Sequence, residues 1–177
     1  MPVAIQSTTL KGLGAVMARI RSLPDKLQKK ILRSAMRKGA TVVRRAAIAN
    51  AIAIDDPRTR EKIYANVVVH FAPKLSKRIH GVAMQVGILG GAKQYGNTKE
   101  NVRKGRVGKT YKTGGDKGNP GGDTWYWRFV EFGVPSRGIA ARPFLLPALE
   151  MNAETATSVI AADLRKGIDK LTLRATS

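Results

Sequence analysis

The spacing of apolar residues predicts long helices near the start of the chain. After a first helical stretch at about residues 10–22, apolar residues recur every three or four positions from Leu27 to Ala53. This period is that of one helix face, so we expect a helix of about 28 residues. Pro24 and Asp25 favour its first turn, and Pro57 ends it because the residue before a proline avoids helical angles.

Alternating patterns follow and predict a small sheet. The segments Ile63–Phe71 and Val82–Ile88 alternate apolar with small or polar residues, which favours an antiparallel pair of strands. The segment Trp125–Gly133 holds five of the ten aromatic residues. Because aromatic side chains dominate buried area, we expect a third strand or a turn into the core here. A stacking platform for single-stranded nucleic acid is the alternative, although Arg128 is the only basic residue among these aromatics.

Apolar residues at helical spacing from Leu146 to Leu171 predict a final helix, with Pro147 in its first turn. The fold class we predict is therefore α+β, in one domain that spans residues 1–177. A long N-terminal helix and a C-terminal helix would pack on a small antiparallel sheet of three or four strands.

The segment 91–122 differs from the rest of the chain. It holds nine glycines and eight basic residues but very few aliphatic ones, so it cannot build a core of its own. We predict a mobile or partner-ordered loop inserted in the domain, because long loops in compact domains usually serve a function. Its candidate binding residues, which would face either DNA or an adjoining protein, are Lys99, Arg103, Lys104, Arg106, Lys109 and Lys112.

Charge gives the first indication of function. The chain of 177 residues has 32 Lys and Arg against 12 Asp and Glu, for a net charge of +20. Such an excess repels itself in a free monomer and favours an anionic or oppositely charged partner, of which nucleic acid is the first to consider. Part of the excess follows one side of the long helix as a stripe: Lys26, Lys30, Arg33, Arg37 and Arg44. The stripe is either a solvated face or a face for phosphate or an acidic neighbour.

Candidate chemistry is sparse. The chain has no cysteine, which excludes disulfides, thiolate metal sites and cysteine nucleophiles. His70 and His80 could in principle bind a metal with Asp55, Asp56 or Glu61, but no nucleophile motif or metal-ligand spacing surrounds them. Residues 108–110 end like a phosphate-binding loop but lack its upstream glycine and buried strand. We therefore expect no catalytic residue, no cofactor, no metal and no enzyme activity.

No apolar run is long enough to span a membrane, and the first ten residues lack the layout of an export signal. We therefore expect no membrane partner. The charge alone would suit a basic nucleic-acid-binding protein of ribosomal or nucleoid type, and this is the alternative that we keep.

Two pieces near the C-terminal end resemble a known family when taken together. Residues 127–133 form an aromatic-Val-Glu-aromatic-Gly element, and residues 141–148 form an Ala-Arg-Pro-Phe element that opens the last helix. With Gly12-Leu13, Leu23-Pro24 and the long basic helix before them, they resemble the tail-completion and head-tail joining proteins of long-tailed bacteriophages, among the neck and minor tail proteins. The residues of this paired signature, which we expect to form a structural corner, are Trp127, Phe129, Glu131, Phe132, Gly133, Arg142, Pro143, Phe144 and Pro147.

The resemblance implies a structural virion protein that forms a homo-oligomeric ring, hexameric or else dodecameric, at the head-tail junction or the tail end. The family implies adjoining connector, tail-terminator or tail-tube proteins as partners, with nonspecific contact to the genome DNA in the channel. It implies a place in the virion neck or tail, after assembly in the host cytoplasm. Within the corner we hypothesise an ion pair between Glu131 and Arg142, the alternative being two separate exposed charges.

Overall fold

The computed structural model describes residues 13–90, 93–111 and 119–175, and the protein is α+β over these ranges. In chain order the elements are α1 (Leu13–Arg21), α2 (Asp25–Ala53), a 3₁₀ turn (Ile63–Asn66), β1 (Val67–Phe71), α3 (Pro73–Arg78), β2 (Met84–Ile88), β3 (Lys93–Gln94), α4 (Lys99–Arg103), β4 (Thr110–Tyr111), α5 (Trp127–Phe132), a second 3₁₀ turn (Pro135–Arg137) and α6 (Leu145–Ala175). The two long helices α2 and α6 follow the apolar periodicity of the sequence.

The four strands of the described ranges form two sheets rather than the predicted single sheet. Strand β1 pairs with β2, and β3 pairs with β4, as two separate two-stranded sheets. Hydrogen bonds at both ends of the first pair, from Ala72 N–H to Ala83 O (3.0 Å) and from Leu89 N–H to Asn66 O (2.9 Å), show that β1 and β2 run antiparallel. Within the described residues no sheet has more than two strands, so one sheet of three or four strands is not confirmed.

The predicted third strand is the helix α5. Trp127 and Val130, three residues apart, pack with Tyr126 against the buried Phe144, whereas Phe129 and Phe132 are exposed. This inward spacing of three is helical, because a strand would turn alternate residues inward. For the segment Trp125–Gly133, the predicted alternative of a turn into the core is therefore closer to the structure than a strand.

The described residues form two compact units. The first contains the residues up to Val43, Val69–Gln85 and those from Met151 onward; the second contains Arg44–Val68 and Val86–Glu150. One domain over residues 1–177 stays a prediction.

The core of the first unit joins α1, α2 and α6 through the buried residues Ile20, Ala35, Leu164 and Ile168. The two long helices approach closely at Gly39, where an added Cβ would lie 2.5 Å from Cγ1 of Ile160. Glycine at this position therefore lets the side chain of Ile160 fill the space between the helices.

A polar cluster joins α2 and α6 within the same unit. The carboxylate of Asp163, whose side chain is only 11% exposed, accepts hydrogen bonds from Ser34 Oγ (3.0 Å) and from Lys38 Nζ. Partial burial raises the pKa of Asp163, but these two hydrogen bonds and the charges of Lys38 and Lys166 outweigh it and hold the pKa below its usual value. Asp163 is therefore a charged link between the helices.

Replacing Asp163 with asparagine should cost about 1 kcal/mol of folding free energy at neutral pH, since the link is charge-assisted but partly exposed. The folded state lowers the pKa of this carboxyl, so its contribution is complete well above the ordinary value of 3.8 and is lost as the pH falls through the lowered value. Urea titrations at several pH values should show the two proteins converging in strong acid. Asp25→Asn is the control, because the pair of Asp25 with Lys29 is exposed; a constant gap between Asp163→Asn and the native chain would contradict the assignment.

Part of the predicted loop is a folded arm, which we define as residues 93–111. Its base is the β3–β4 pair, in which Lys93 faces Tyr111 and Gln94 faces Thr110. Between the strands lies α4, whose N-terminus is capped by Thr98 Oγ1 through the N–H of Asn101 (3.2 Å). The chain returns through Gly105 and Gly108, both at positive φ. The arm thus has short regular elements of its own, and a mobile or partner-ordered loop over residues 91–122 stays a prediction.

Candidate functional site

The corner between α5 and α6 is built around the buried carboxylate of Glu131, which is 4% exposed. One oxygen accepts the N–H groups of Phe144 (2.8 Å) and Leu145 (2.9 Å), and the other accepts the N–H of Leu146 (2.9 Å). The next residue, Pro147, has no N–H. A helix leaves its first four backbone N–H groups without partners inside the helix, and at the start of α6 three of these are bonded to Glu131 and the fourth does not exist. The negative charge of Glu131 also suits the positive end of the helix dipole.

The hypothesised ion pair within the corner is wrong. Glu131 and Arg142 both lie in the described part of the chain and form no ion pair there. The Arg142 side chain is exposed, and its backbone N–H donates to Val130 O (2.7 Å). Hydrogen bonds from three backbone amides compensate the desolvation cost of the buried Glu131 carboxylate, whereas the exposed Arg142 guanidinium does not have to be desolvated.

A tight turn leads from α5 toward α6. Gly133 has φ 68°, and a Cβ there would lie 2.7 Å from both Ala141 N and Ile139 O. The backbones of Val134 and Ile139 then exchange hydrogen bonds of 2.9 and 3.2 Å across the turn. Glycine is needed at 133 because both its φ and the close backbone exclude a side chain.

The signature residues divide between the core and the surface. Phe144 is fully buried, and Trp127 and Pro147 are half-buried. Arg142 and Pro143 are exposed. The buried members hold the corner together, whereas binding by the exposed ones stays a prediction.

The corner carries exposed apolar side chains on α5, on the turn and on the start of α6. We call them the apolar patch: Phe129 (45% exposed), Phe132 (68%), Ile139 (48%), Leu146 (53%) and Leu149 (53%). Glu131 and the Val134–Ile139 bridge fix these three elements to one another. Large apolar residues left exposed on three linked elements make the corner a candidate interaction surface. Phe129 and Phe132 belong to the corner predicted from the sequence, whereas no sequence pattern marks Ile139, Leu146 and Leu149 as a surface.

The basic stripe on α2 is not uniform. Lys26, Lys30 and Arg37 are exposed. In the first unit, the Arg33 guanidinium lies 4.1 Å from the centre of the Phe71 ring. In the second unit, Arg44 Nε donates to Val67 O (2.7 Å). Two of the five cations thus support the fold, and binding by the stripe stays a prediction.

The basic residues of the arm are divided in a similar way. Lys99, Arg103 and Lys109 are exposed, Lys104 pairs with Glu100 (2.7 Å), and Arg106 is half-buried. The Arg106 guanidinium lies 4.9 Å from the centre of the Tyr95 ring and 3.6 Å from the Glu100 carboxylate. Lys112 lies outside the described residues. Binding by these side chains also stays a prediction.

A buried polar cluster in the second unit escaped the sequence analysis. The fully buried Asn66 donates to Gly122 O and Thr124 Oγ1, both at 2.9 Å, and accepts the N–H of Gly121 at 2.8 Å. Thr124 Oγ1 in turn donates to Leu89 O at 2.9 Å. The only sequence feature that could have indicated this cluster is the short Gly-Gly-Asp-Thr run at residues 121–124. The cluster is neutral and joins its segments as a scaffold.

Three of the side chains considered for catalysis or metal binding have other partners. Asp55 pairs with Lys62 (2.7 Å), and Asp56 pairs with Arg58 (3.0 Å). Nε2 of His70 lies 3.0 Å from the Gln85 amide oxygen. Among residues 13–90, 93–111 and 119–175, no three potential metal ligands come together. No helix in these ranges is long and apolar enough to cross a membrane.

Comparison with known proteins places the chain in a family. Residues 14–133 match the family model described as "Bacteriophage HK97-gp10, putative tail-component". The match covers about two thirds of the chain and includes α2, the arm and α5. No curated protein and no solved structure gives a significant match. The family resemblance seen in the sequence is thereby confirmed, with a general structural role in the phage tail and a place in the virion. The chain belongs to the HK97-gp10-like family of bacteriophage tail components.

Proposed function

We propose that this tail component forms a ring of identical subunits at the head-tail junction or the tail end, around the DNA channel. The observation that carries the proposal is the apolar patch on a corner whose helix start is capped by Glu131. A tail component works in an assembly, and a preformed apolar surface provides the burial that assembly needs. The role is structural rather than catalytic.

The ring is six- or twelvefold in this proposal, and each subunit offers two different surfaces to its neighbours. Such head-to-tail contacts form a closed ring when the rotation per subunit divides the circle. Adjoining connector, tail-terminator or tail-tube proteins would stack on the ring. The subunits would assemble in the host cytoplasm before they are incorporated in the virion.

Genome DNA would pass through the ring with nonspecific contacts. The exposed Lys26, Lys30 and Arg37 of α2 supply cations for phosphate without any means of reading bases. Such contacts weaken steeply with salt, so DNA binding by the isolated chain should be weak at physiological ionic strength.

Electron microscopy of phage particles produced with and without this protein tests the proposal. Full heads separated from unattached tails, in preparations without it, would support the joining function. Complete infectious particles in its absence would rule that function out.

A basic nucleic-acid-binding protein of ribosomal or nucleoid type is the second candidate, favoured by the net charge of +20. It requires tight DNA or RNA binding by the isolated chain, with a steep dependence on salt. Fluorescence anisotropy over a range of salt concentrations separates the two. Tight nucleic-acid binding together with normal particle joining in the absence of the protein would favour this candidate.

Replacing Phe132 or Leu149 with serine should weaken self-association by about tenfold each, because each change removes a half-exposed apolar side chain from the contact. The melting temperature should hardly change, since neither side chain belongs to a core. Sedimentation at several concentrations measures the association. Ile52→Ser, on α2 outside the apolar patch and 54% exposed, is the matched control; equal weakening by all three variants would remove the patch from the interface.

A further inference from the structure

The arm carries two exposed apolar side chains among its basic residues. Val102 on α4 is 58% exposed, and Val107 in the returning segment is 42% exposed. The Thr98 cap and the β3–β4 pair hold this region in a defined conformation. The arm therefore presents the two valines with much of the ordering cost already met within the arm.

The α6 side of the apolar patch has the complementary charge. Residues 143–164 form the longest run without Lys or Arg in a chain that has 32 of them, and they include Glu150 and Glu154. Glu150 is exposed directly after Leu149 of the patch. The arm holds six basic residues and one acidic residue, Glu100, which is paired with Lys104. An arm brought to this surface would meet apolar and acidic groups.

We propose that the arm of one copy docks on the apolar patch of the next copy, which deepens and rests on the ring proposed above. Val102 and Val107 pack on Leu146 and Leu149, while the exposed Arg103 faces Glu150. Both surfaces are exposed in the single chain, so each is accessible to another copy. Because the arm and the patch are different surfaces, the contact is head-to-tail, as a ring of identical subunits requires.

DNA is a poorer occupant for the arm. Phosphate contacts need cations and hydrogen-bond donors, to which exposed valines add nothing. Two of the arm's cations, Lys104 and Arg106, already lie against Glu100. An apolar partner instead uses the part of the arm that water solvates least well.

The absence of cysteine from the chain allows a direct test by disulfide trapping. Chains with Val102→Cys and chains with Leu149→Cys are mixed, oxidised and run on a non-reducing gel. We expect a mixed dimer in high yield. The matched control pairs Val102→Cys with Ile52→Cys, which places a thiol of similar exposure outside the patch and should give little dimer.

The second trap uses a chain that carries both Val102→Cys and Leu149→Cys, oxidised in purified form and in assembled particles. Head-to-tail docking gives a ladder that ends at the ring size. An intrachain bond alone, no bond in either preparation, or equal yield with the Ile52→Cys control would each overturn the proposal.

A mutational cycle provides an independent readout. Val102→Ser with Val107→Ser should weaken association by about tenfold or more, and adding Leu149→Ser should cause little further loss, because the side chains act in one contact. Additive losses would overturn the docking. Unchanged association together with loss of DNA binding in Arg103→Ala would also overturn it and would assign the arm to DNA. If particles still need the protein but the trap fails, the joining function stands and only the docking fails.

Discussion

Replacing Glu131 with alanine should lower the free energy of unfolding by about 3–5 kcal/mol, because the N–H groups of Phe144, Leu145 and Leu146 lose a charged acceptor together. Two of these donors sit at residues that are buried or half-buried, where water replaces the carboxylate poorly. The start of α6 also loses the negative charge that its dipole favours. Urea denaturation followed by circular dichroism measures the loss.

Two further variants separate the cap from other roles of Glu131. Glu131→Gln keeps one acceptor oxygen without the charge, so it should lose roughly half as much stability as alanine. Arg142→Ala should change stability by less than about 0.5 kcal/mol, since its side chain is exposed and its contribution to the corner is a backbone N–H. If Arg142→Ala lowered the free energy of unfolding as much as Glu131→Ala does, an ion pair between the two side chains would be supported and the cap contradicted.

Replacing Phe144 with alanine should cost about 3–5 kcal/mol, the range for emptying a buried aromatic site. The ring is fully buried in one cluster with Ala51 and Ile63, so its removal leaves a cavity that the surrounding side chains cannot fill without moving. Differential scanning calorimetry should show a clearly lower melting temperature.

The matched control is Phe129→Ala, the same change at a side chain that is 45% exposed. We expect it to cost less than about 1 kcal/mol while it weakens association. Phe144→Ala should show the reverse order of effects. If the two variants melted at the same temperature, the inward and outward faces of α5 and the corner would be wrongly assigned.

Long periodic segments carried most of what the sequence could predict. The helix expected up to Ala53 and the helix expected from about Pro147 are α2 and α6, because many turns repeat the same apolar spacing. The segments around β1 and β2 were also located, since alternation over several residues is specific to strands. The family followed from a short signature, of which Glu131 proved to be the structural centre.

The short elements could not be predicted, because tertiary contacts decide them. Six residues of α5 show no clear period when both inward and outward positions are aromatic. The arm has a polar, glycine-rich composition, and its order comes from Thr98, Gly105 and the Arg106–Tyr95 contact rather than from an apolar core. The sequence does not show which backbone amides bind Glu131, because nearly every residue has one. Arg142 is the visible opposite charge, and the sequence therefore favours it as the partner.

The position of Glu131 has a consequence for the timing of assembly. The carboxylate of Glu131, which directly precedes Phe132, accepts the N–H groups of Leu145 and Leu146, so the α5 and α6 parts of the apolar patch are linked only after α6 has started at Leu145. A nascent or partly unfolded subunit would offer only scattered side chains to its neighbours. In the proposed ring, only subunits with a folded corner could then polymerise, and this order would depend on the single carboxylate of Glu131.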